Sequence, residues 1–334
     1  MKVLFTTPHT FVSGGTKVIF RYAAQLHDRN IPCVVLSHKR ISHGLVWFTR
    51  YKSKFEIIDG TKCRDYPMHD VTHIVDFCDA PGILSNPFSV PHILLLQGFG
   101  GNQSLEISNL KYRFKHVIAV SEWLKDIALK FSHKNITLIP PGVDSQFTDL
   151  GFKKDYDLKK YCSIGCLFHE APSKNIKLAI DVFNMLSLHH RINVLFLSSK
   201  IGRINEYDSL MKFEHSFIVN PPQEFLATYY NTCDIWFSPC IKEGFGLPIL
   251  EAMKCKCPVV AFKNGGLDSY LINDHNCKIV KTQTVYDSAK TLSNLINQYE
   301  IKKKIVDNGY KLANKFTWEN STNKFIKVLE DCLR

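Results

Sequence analysis

Short apolar runs alternate along the chain with helix-length amphipathic segments. This is the rhythm of βαβ units and parallel sheets. Met1–Thr6 reads as a strand, Pro8–Gly15 as a loop, and Thr16–Arg29 as a helix with Val18, Ile19, Tyr22, Ala23 and Leu26 on one face. Further strands are expected at Pro32–Ser37, Val71–Val75, His92–Gln97, His116–Val120 and Ile136–Ile139, with helices over Gln103–Lys115 and Ser121–Phe131. The pattern breaks over residues 140–159, where turn-rich Pro140-Pro141-Gly142-Val143-Asp144 precedes the highly charged Lys153–Lys160. That stretch is the expected linker.

A second series follows. It reads as strand Tyr161–Gly165, helix Lys174–Leu186, strand Asn193–Leu197, helix Pro222–Asn231, strand Ile235–Ser238, helix Leu247–Lys254 and strands Pro258–Phe262 and Cys277–Val280. Tyr286–Arg334 reads as helices. The expected fold is α/β, two Rossmann-like domains facing a central cleft. Residues 1–150 form the first domain and 151–316 the second. The 317–334 helix, apolar at Phe325, Ile326, Val328 and Leu329, is expected to pack back on the first.

With 334 residues, the chain has the length of about two domains. No apolar run approaches the roughly 20 residues of a membrane helix. Met1–Phe5 meets Thr6-Thr7-Pro8-His9 at once, without room for a signal-peptide core, so a cytoplasmic protein is expected. Its eleven cysteines then read as reduced thiols, and none has zinc-finger spacing, so no metal is expected. The net charge of +11 is spread through both halves, which suits anionic ligands without choosing among them. No clustered basic stripe supports a nucleic-acid partner.

The most informative segment runs from Ser238 to Met253. A strand ends, a glycine-containing loop carries Glu243, Gly244, Phe245 and Gly246, and a helix opens at Leu247-Pro248, where proline is tolerated. Glycines let a ligand approach the backbone, and the free N–H groups at the helix start suit a diphosphate. Glu251 lies one turn into the helix. A carboxylate beside a phosphate site is unfavourable unless it accepts hydrogen bonds, and sugar hydroxyls supply them.

On these residues the sequence resembles the retaining GT-B glycosyltransferases of family 4. Glu243 and Glu251 stand at the two ends of that family's E-x(7)-E motif. Tyr229–Ile235 resembles the segment before it, Pro258–Ala261 with Gly265-Gly266 the segment after it, and Pro141–Asp144 the interdomain turn. The resemblance implies that Glu243 contacts the donor sugar, that Glu251 contacts the donor ribose, and that the backbone of Phe245, Gly246 and Leu247 binds the diphosphate and sugar. It also places Lys174 on the donor diphosphate, and Gly14 and Gly15, after Ser13, near the donor phosphates. On the acceptor side it points to Gln97 and Gly98, with His9 a substitute polar contact.

There are departures from the family pattern. Cys166 stands where many members carry arginine, so that Lys200 or Arg203 is a candidate second cation. Gln97 stands near a usual histidine, and Lys256 where glycine usually ends the helix. The activity implied is metal-independent, retaining transfer from a nucleoside-diphosphate sugar to an acceptor hydroxyl of a glycan or lipid-linked glycan, with no cofactor. The competing readings are a sugar-nucleotide epimerase, a phosphorylase and a non-catalytic binding subunit. Lys125 and Lys130 beside Trp123 and Phe131 offer a weak peripheral contact with the inner face of a membrane. The stripe Leu124, Ile127, Ala128 and Phe131 favours an ordinary packed helix.

Overall fold

Apolar runs just long enough to cross a sheet once become its inner strands. In the computed structural model, which describes residues 1–11, 13–37, 53–59, 71–77, 90–99, 110–111, 114–152, 161–200 and 202–334, the chain divides into two units. Unit 1 comprises Met1–Gly142 and Thr317–Arg334, and unit 2 comprises Val143–Phe316. The division falls at Gly142, ahead of the expected boundary at 150, and residues 153–160 lie outside the described residues.

Unit 1 contains strands β1 (Val3–Thr7), β2 (Cys33–Ser37), β3 (Glu56–Asp59), β4 (His73–Phe77), β5 (His92–Leu96), β6 (His116–Ala119) and β7 (Ile136–Leu138). They form one parallel sheet in the order β3-β2-β1-β4-β5-β6-β7. Every residue of β1, β2 and β5 is buried. Helix α1 (Gly14–His27) follows β1, and α2 (Glu122–Lys130) follows β6. Leu124, Ile127 and Ala128 of α2 are buried as the stripe predicts, while Phe131 is half-buried. Ser121 takes the N-cap conformation, but its Oγ is buried without a hydrogen-bond partner and does not cap α2. The expected Gln103–Lys115 helix falls mostly outside the described residues.

Unit 2 contains β8 (Cys162–Leu167), β9 (Ile192–Ser198), β10 (Glu214–Val219), β11 (Ile235–Ser238), β12 (Val259–Ala261) and β13 (Lys278–Ile279). This sheet is also parallel, in the order β10-β9-β8-β11-β12-β13. Its helices are α3 (Ile176–Leu186), α4 (Ile204–Asp208), α5 (Phe225–Thr232), α6 (Leu247–Lys254), α7 (Val285–Asn297) and α8 (Tyr299–Ala313). The strand order reverses direction between β8 and β11, which is the crevice where doubly wound sheets bind ligands.

The sequence pattern missed β3, β10 and α4. Both strands are sheet edges and carry exposed or half-buried residues throughout, so no apolar run marks them. At the end of α6 the chain turns left-handed at Lys256 (φ 54), where glycine would be easier. An ion pair with Asp149 (2.9 Å) and the face of Tyr310 (5.3 Å) hold that lysine.

The last helix, α9 (Trp318–Leu333), belongs to unit 1. Phe325 stacks on Tyr22 (4.4 Å) and Phe5 (5.9 Å), and Trp318 meets Tyr22 edge-on (5.3 Å). The buried His73 Nε2–H donates to the Leu329 carbonyl (2.7 Å), which ties the helix to β4. Among the described residues, no helix is long and apolar enough to cross a membrane.

Candidate functional site

The loops that follow β8 and β11 meet at the switch point of unit 2. After β8 the chain passes through His169 and Glu170 into a 3-10 turn, Pro172–Lys174. Asn175 is left-handed (φ 55) and stands at the N-cap position of α3, without a side-chain hydrogen bond to the helix. Lys174 therefore closes a tight turn. It does not open the helix, as the sequence suggested, but directly precedes its N-cap.

The loop after β11 is bound to that turn and to the next crossover. Ile241 N–H donates to the Ser173 carbonyl (2.9 Å), Glu243 N–H to the Asn264 carbonyl (3.2 Å), and Gly266 N–H to the Glu243 carbonyl (3.0 Å). Asn264 Nδ2 donates to the Cys240 carbonyl (3.0 Å). Fixed in this way, Lys174 Nζ and Glu243 Oε2 form an ion pair at 2.6 Å, with side chains 22% and 21% exposed. Burial alone would lower the Lys174 ammonium, but the Glu243 carboxylate beside it outweighs that and holds it raised.

Two unforeseen side chains belong to the same electrostatic cluster. Burial pushes the Cys240 thiol up to about 11, against the pull of Lys174. The sequence pattern marked it only as a small core residue. His169 Nδ1 accepts from Ala171 N–H (3.0 Å), which leaves its ring proton on Nε2. Burial, then the charges of Lys174 and Lys200, lower this imidazole. The two candidate second cations have acidic partners: Lys200 lies 3.8 Å from Glu170, and Arg203 pairs with Glu206. Cys166 is fully buried in β8.

Gly246 is the N-cap of α6 in a left-handed conformation (φ 88), and no side chain caps the helix. A Cβ on Gly246 would fall on Leu267 Cδ2 and lie 2.9 Å from the Tyr270 hydroxyl, so only glycine fits. Tyr270 donates to the Phe245 carbonyl (2.5 Å), and the Phe245 ring packs against Tyr270 (5.6 Å) and Phe316 (5.4 Å), which also meet each other (5.8 Å). Gly244 and Leu247 complete this turn. Glu251, on the next turn of α6 and 5% exposed, accepts from the Tyr230 hydroxyl (3.0 Å). Sequence reasoning did not assign Tyr230 or Tyr270 a role. For Tyr230 the available signal was a polar-headed aromatic inside an apolar helix face, which needs a partner once buried; Tyr270 lies in a turn and offered no such signal.

The remaining candidates form a second group, in unit 1. Ser13 Oγ caps α1 by accepting from Thr16 N–H (3.1 Å). Gln97 Nε2 donates to the Gly15 carbonyl (3.3 Å), which joins the loop after β5 to the start of α1 beside Gly14, with Gly98 next in the chain. The His9 carbonyl accepts from Thr7 Oγ1 (2.9 Å), and its ring lies 5.5 Å from Phe11. Among the described residues, no three His, Cys, Asp or Glu side chains gather as a metal site would need.

Residues 151–312, just under half of the chain and nearly all of unit 2, match the family model described as glycosyl transferases group 1. Uncharacterized glycosyltransferase MJ1178 of Methanocaldococcus jannaschii is 26% identical over 260 residues, covering 75% of this chain and 71% of its own. A probable sucrose-phosphate synthase of Thermosipho melanesiensis is 28% identical over 207 residues, 58% of this chain and 47% of its own. The chain thus spans less than half of that second relative's length. HepE of Anabaena, solved in complex with UDP-glucose, superposes with a TM-score of 0.81 at 15% identity, over 99% of this chain and 100% of HepE. Sucrose-phosphate synthase of Thermosynechococcus elongatus superposes with a TM-score of 0.79 at 14% identity, over 100% of this chain and 99% of its own. These whole-chain likenesses show the GT-B fold, and the family match with the named relatives supports a glycosyltransferase built on it.

Proposed function

We propose that the chain is a retaining glycosyltransferase that moves a sugar from a nucleoside-diphosphate donor to an acceptor hydroxyl, without a metal or cofactor. The Lys174–Glu243 pair at the unit 2 switch point carries this reading. One crevice holds a cation for the diphosphate, a carboxylate for sugar hydroxyls and an uncapped helix start, all at the sheet edge where nucleotides bind. The resemblance to family 4 supports retention, and the UDP-glucose seen on HepE supports the donor class.

In this reading Lys174 and the backbone of Phe245, Gly246 and Leu247 receive the diphosphate, with Gly14 and Gly15 near its phosphates. Glu251 takes the ribose and Glu243 the transferred sugar. Transfer breaks the bond between the anomeric carbon and the phosphate oxygen. The acceptor oxygen bonds to the same face of the sugar, and its proton passes to the departing diphosphate. Negative charge grows on that leaving group, and a preorganised ammonium with backbone N–H groups stabilises it there. His9, Gln97 and Gly98 are the acceptor contacts. The acceptor is a glycan or lipid-linked glycan, reached in the cytoplasm or at the inner face of a membrane.

The test is calorimetric titration of UDP, GDP, ADP and CDP into wild type and Lys174→Ala, followed by transfer assays with the matching sugar donors in EDTA. Lys174→Ala should weaken the preferred diphosphate by about 1.5–3 kcal/mol, and should weaken the monophosphate less. Equal losses for both remove Lys174 from the diphosphate site. Diphosphate binding without transfer to any acceptor points to a binding module.

A further inference from the structure

We propose that Tyr230 is the positioning residue for Glu251, its hydroxyl setting the carboxylate that reads the donor ribose; this rests on the ribose role given to Glu251 above. Glu251 is a nearly buried acid on α6, and burying a carboxylate is unfavourable without hydrogen bonds to it. Tyr230 Oη donates to its Oε2 at 3.0 Å, across helices α5 and α6. A donor to an ionised acceptor makes one of the stronger hydrogen bonds and fixes the plane of the acceptor.

The donor is itself buried and closely packed. The Tyr230 ring is 1% exposed and packs edge-on against Trp236 (5.2 Å), Tyr229 (5.3 Å) and Phe147 (5.9 Å). Trp236 lies on β11, the strand that leads into the Glu243 loop. These three rings hold the Tyr230 ring, and with it the hydroxyl, toward Glu251. Burial, then the Glu251 charge, raise the phenol well above its ordinary value, so it remains a donor. Tyr229, its neighbour, is equally buried, but its hydroxyl donates to the backbone carbonyl of Leu195 (2.7 Å).

The test compares calorimetric affinities for whichever of UDP, GDP, ADP or CDP binds wild type most tightly and for its 2′,3′-dideoxy counterpart. Wild type should prefer the ribose form, and Glu251→Gln should lose most of that preference. Tyr230→Phe, which keeps the ring, should lower the ratio roughly fivefold or more, in proportion to a weakened charged contact. It should raise the donor KM while changing kcat by less than about twofold, because the contact is shared by ground and transition states. Tyr229→Phe should leave the ratio at the wild-type value.

If Glu251→Gln lowers the ratio and Tyr230→Phe does not, the positioning role is wrong while the site reading stands. An equal drop in Tyr229→Phe overturns the role as a packing effect. If Glu251→Gln keeps the wild-type ratio, the ribose reading itself falls. If none of the four diphosphates binds wild type, both fall with the proposed function.

Discussion

The turn after β1 and the turn after β11 both set glycine at the start of a helix, and both were singled out from sequence for the same reason. Their local chemistry differs. In unit 1, Ser13 supplies an oxygen to the Thr16 N–H, and a Cβ on Gly14 would meet open space. In unit 2, Gly246 is left-handed, is pressed against Leu267 and Tyr270, and leaves α6 without a side-chain cap. A paired lysine and glutamate flank it. The first turn is closed by its own side chains, whereas the second is shaped by distant residues and presents its N–H groups and charges. A glycine-rich turn is therefore weak evidence until the atoms around it are known.

Gly246→Ala should have the largest effect. It combines a disfavoured φ with a collision, so unit 2 should lose about 2–4 kcal/mol in denaturant unfolding, and nucleoside diphosphate binding should fall with it. A loss under about 0.5 kcal/mol would erase the contrast between the two turns.

Glu243→Gln comes next. Turnover should drop roughly a hundredfold with the loss of the charge that the proposed role of Glu243 sets against the reacting sugar. Affinity for the free diphosphate should match or exceed wild type, because Lys174 no longer has a carboxylate at 2.6 Å. Weaker diphosphate binding in this variant would show that Glu243 serves the nucleotide and not the sugar.

Acid should distinguish the units more gently. Burial, then the N-terminal ammonium, lower the His73 imidazole against the raising pull of the Leu329 carbonyl. A histidine whose folded pKa lies below its unfolded value stabilises the fold fully above about 6.5, and that stability is lost as pH falls further. Burial also lowers His169 in unit 2, so the readout must be local. Exchange protection in α9, taken relative to the intrinsic exchange rate at each pH, should fall between pH 7.5 and 5.5, and His73→Gln should flatten that dependence. An α9 whose exchange protection is indifferent to acid would remove His73 as its tie.

The smallest effect is expected for Gly14→Ala. Alanine at a helix start with open space should raise unit 1 stability by about 0.5 kcal/mol. A destabilised variant would mean that the unit 1 turn also needs its glycine.

Strands buried on both faces, such as Val3–Thr7 and His92–Leu96, were legible because each carries an unbroken apolar run, Val3–Phe5 and Ile93–Leu96. Edge strands Glu56–Asp59 and Glu214–Val219 were not, since half of each faces water and their pairing depends on a neighbour already in place. In the candidate site, Glu243, Gly246 and Glu251 were legible as one spaced motif. Tyr230 and Tyr270 were not. Their hydroxyls reach Glu251 and the Phe245 carbonyl across 21 and 25 residues of chain, a distance in sequence that only the packed sheet closes. Lys174 was marked from sequence, but the left-handed Asn175 that sets it ahead of the helix was not, because asparagine enters that conformation only as its surroundings require.

The place of α9 in unit 1 has a consequence for synthesis. Residues 143–316 leave the ribosome before residues 317–334 do, yet Phe325 belongs between Tyr22 and Phe5 at the other end of the chain. The usual vectorial order, with the amino-terminal domain finished first, is thereby inverted. Unit 2 can complete itself while the sheet of unit 1 still lacks the helix covering Tyr22, so the nascent first unit depends on an element made only after unit 2.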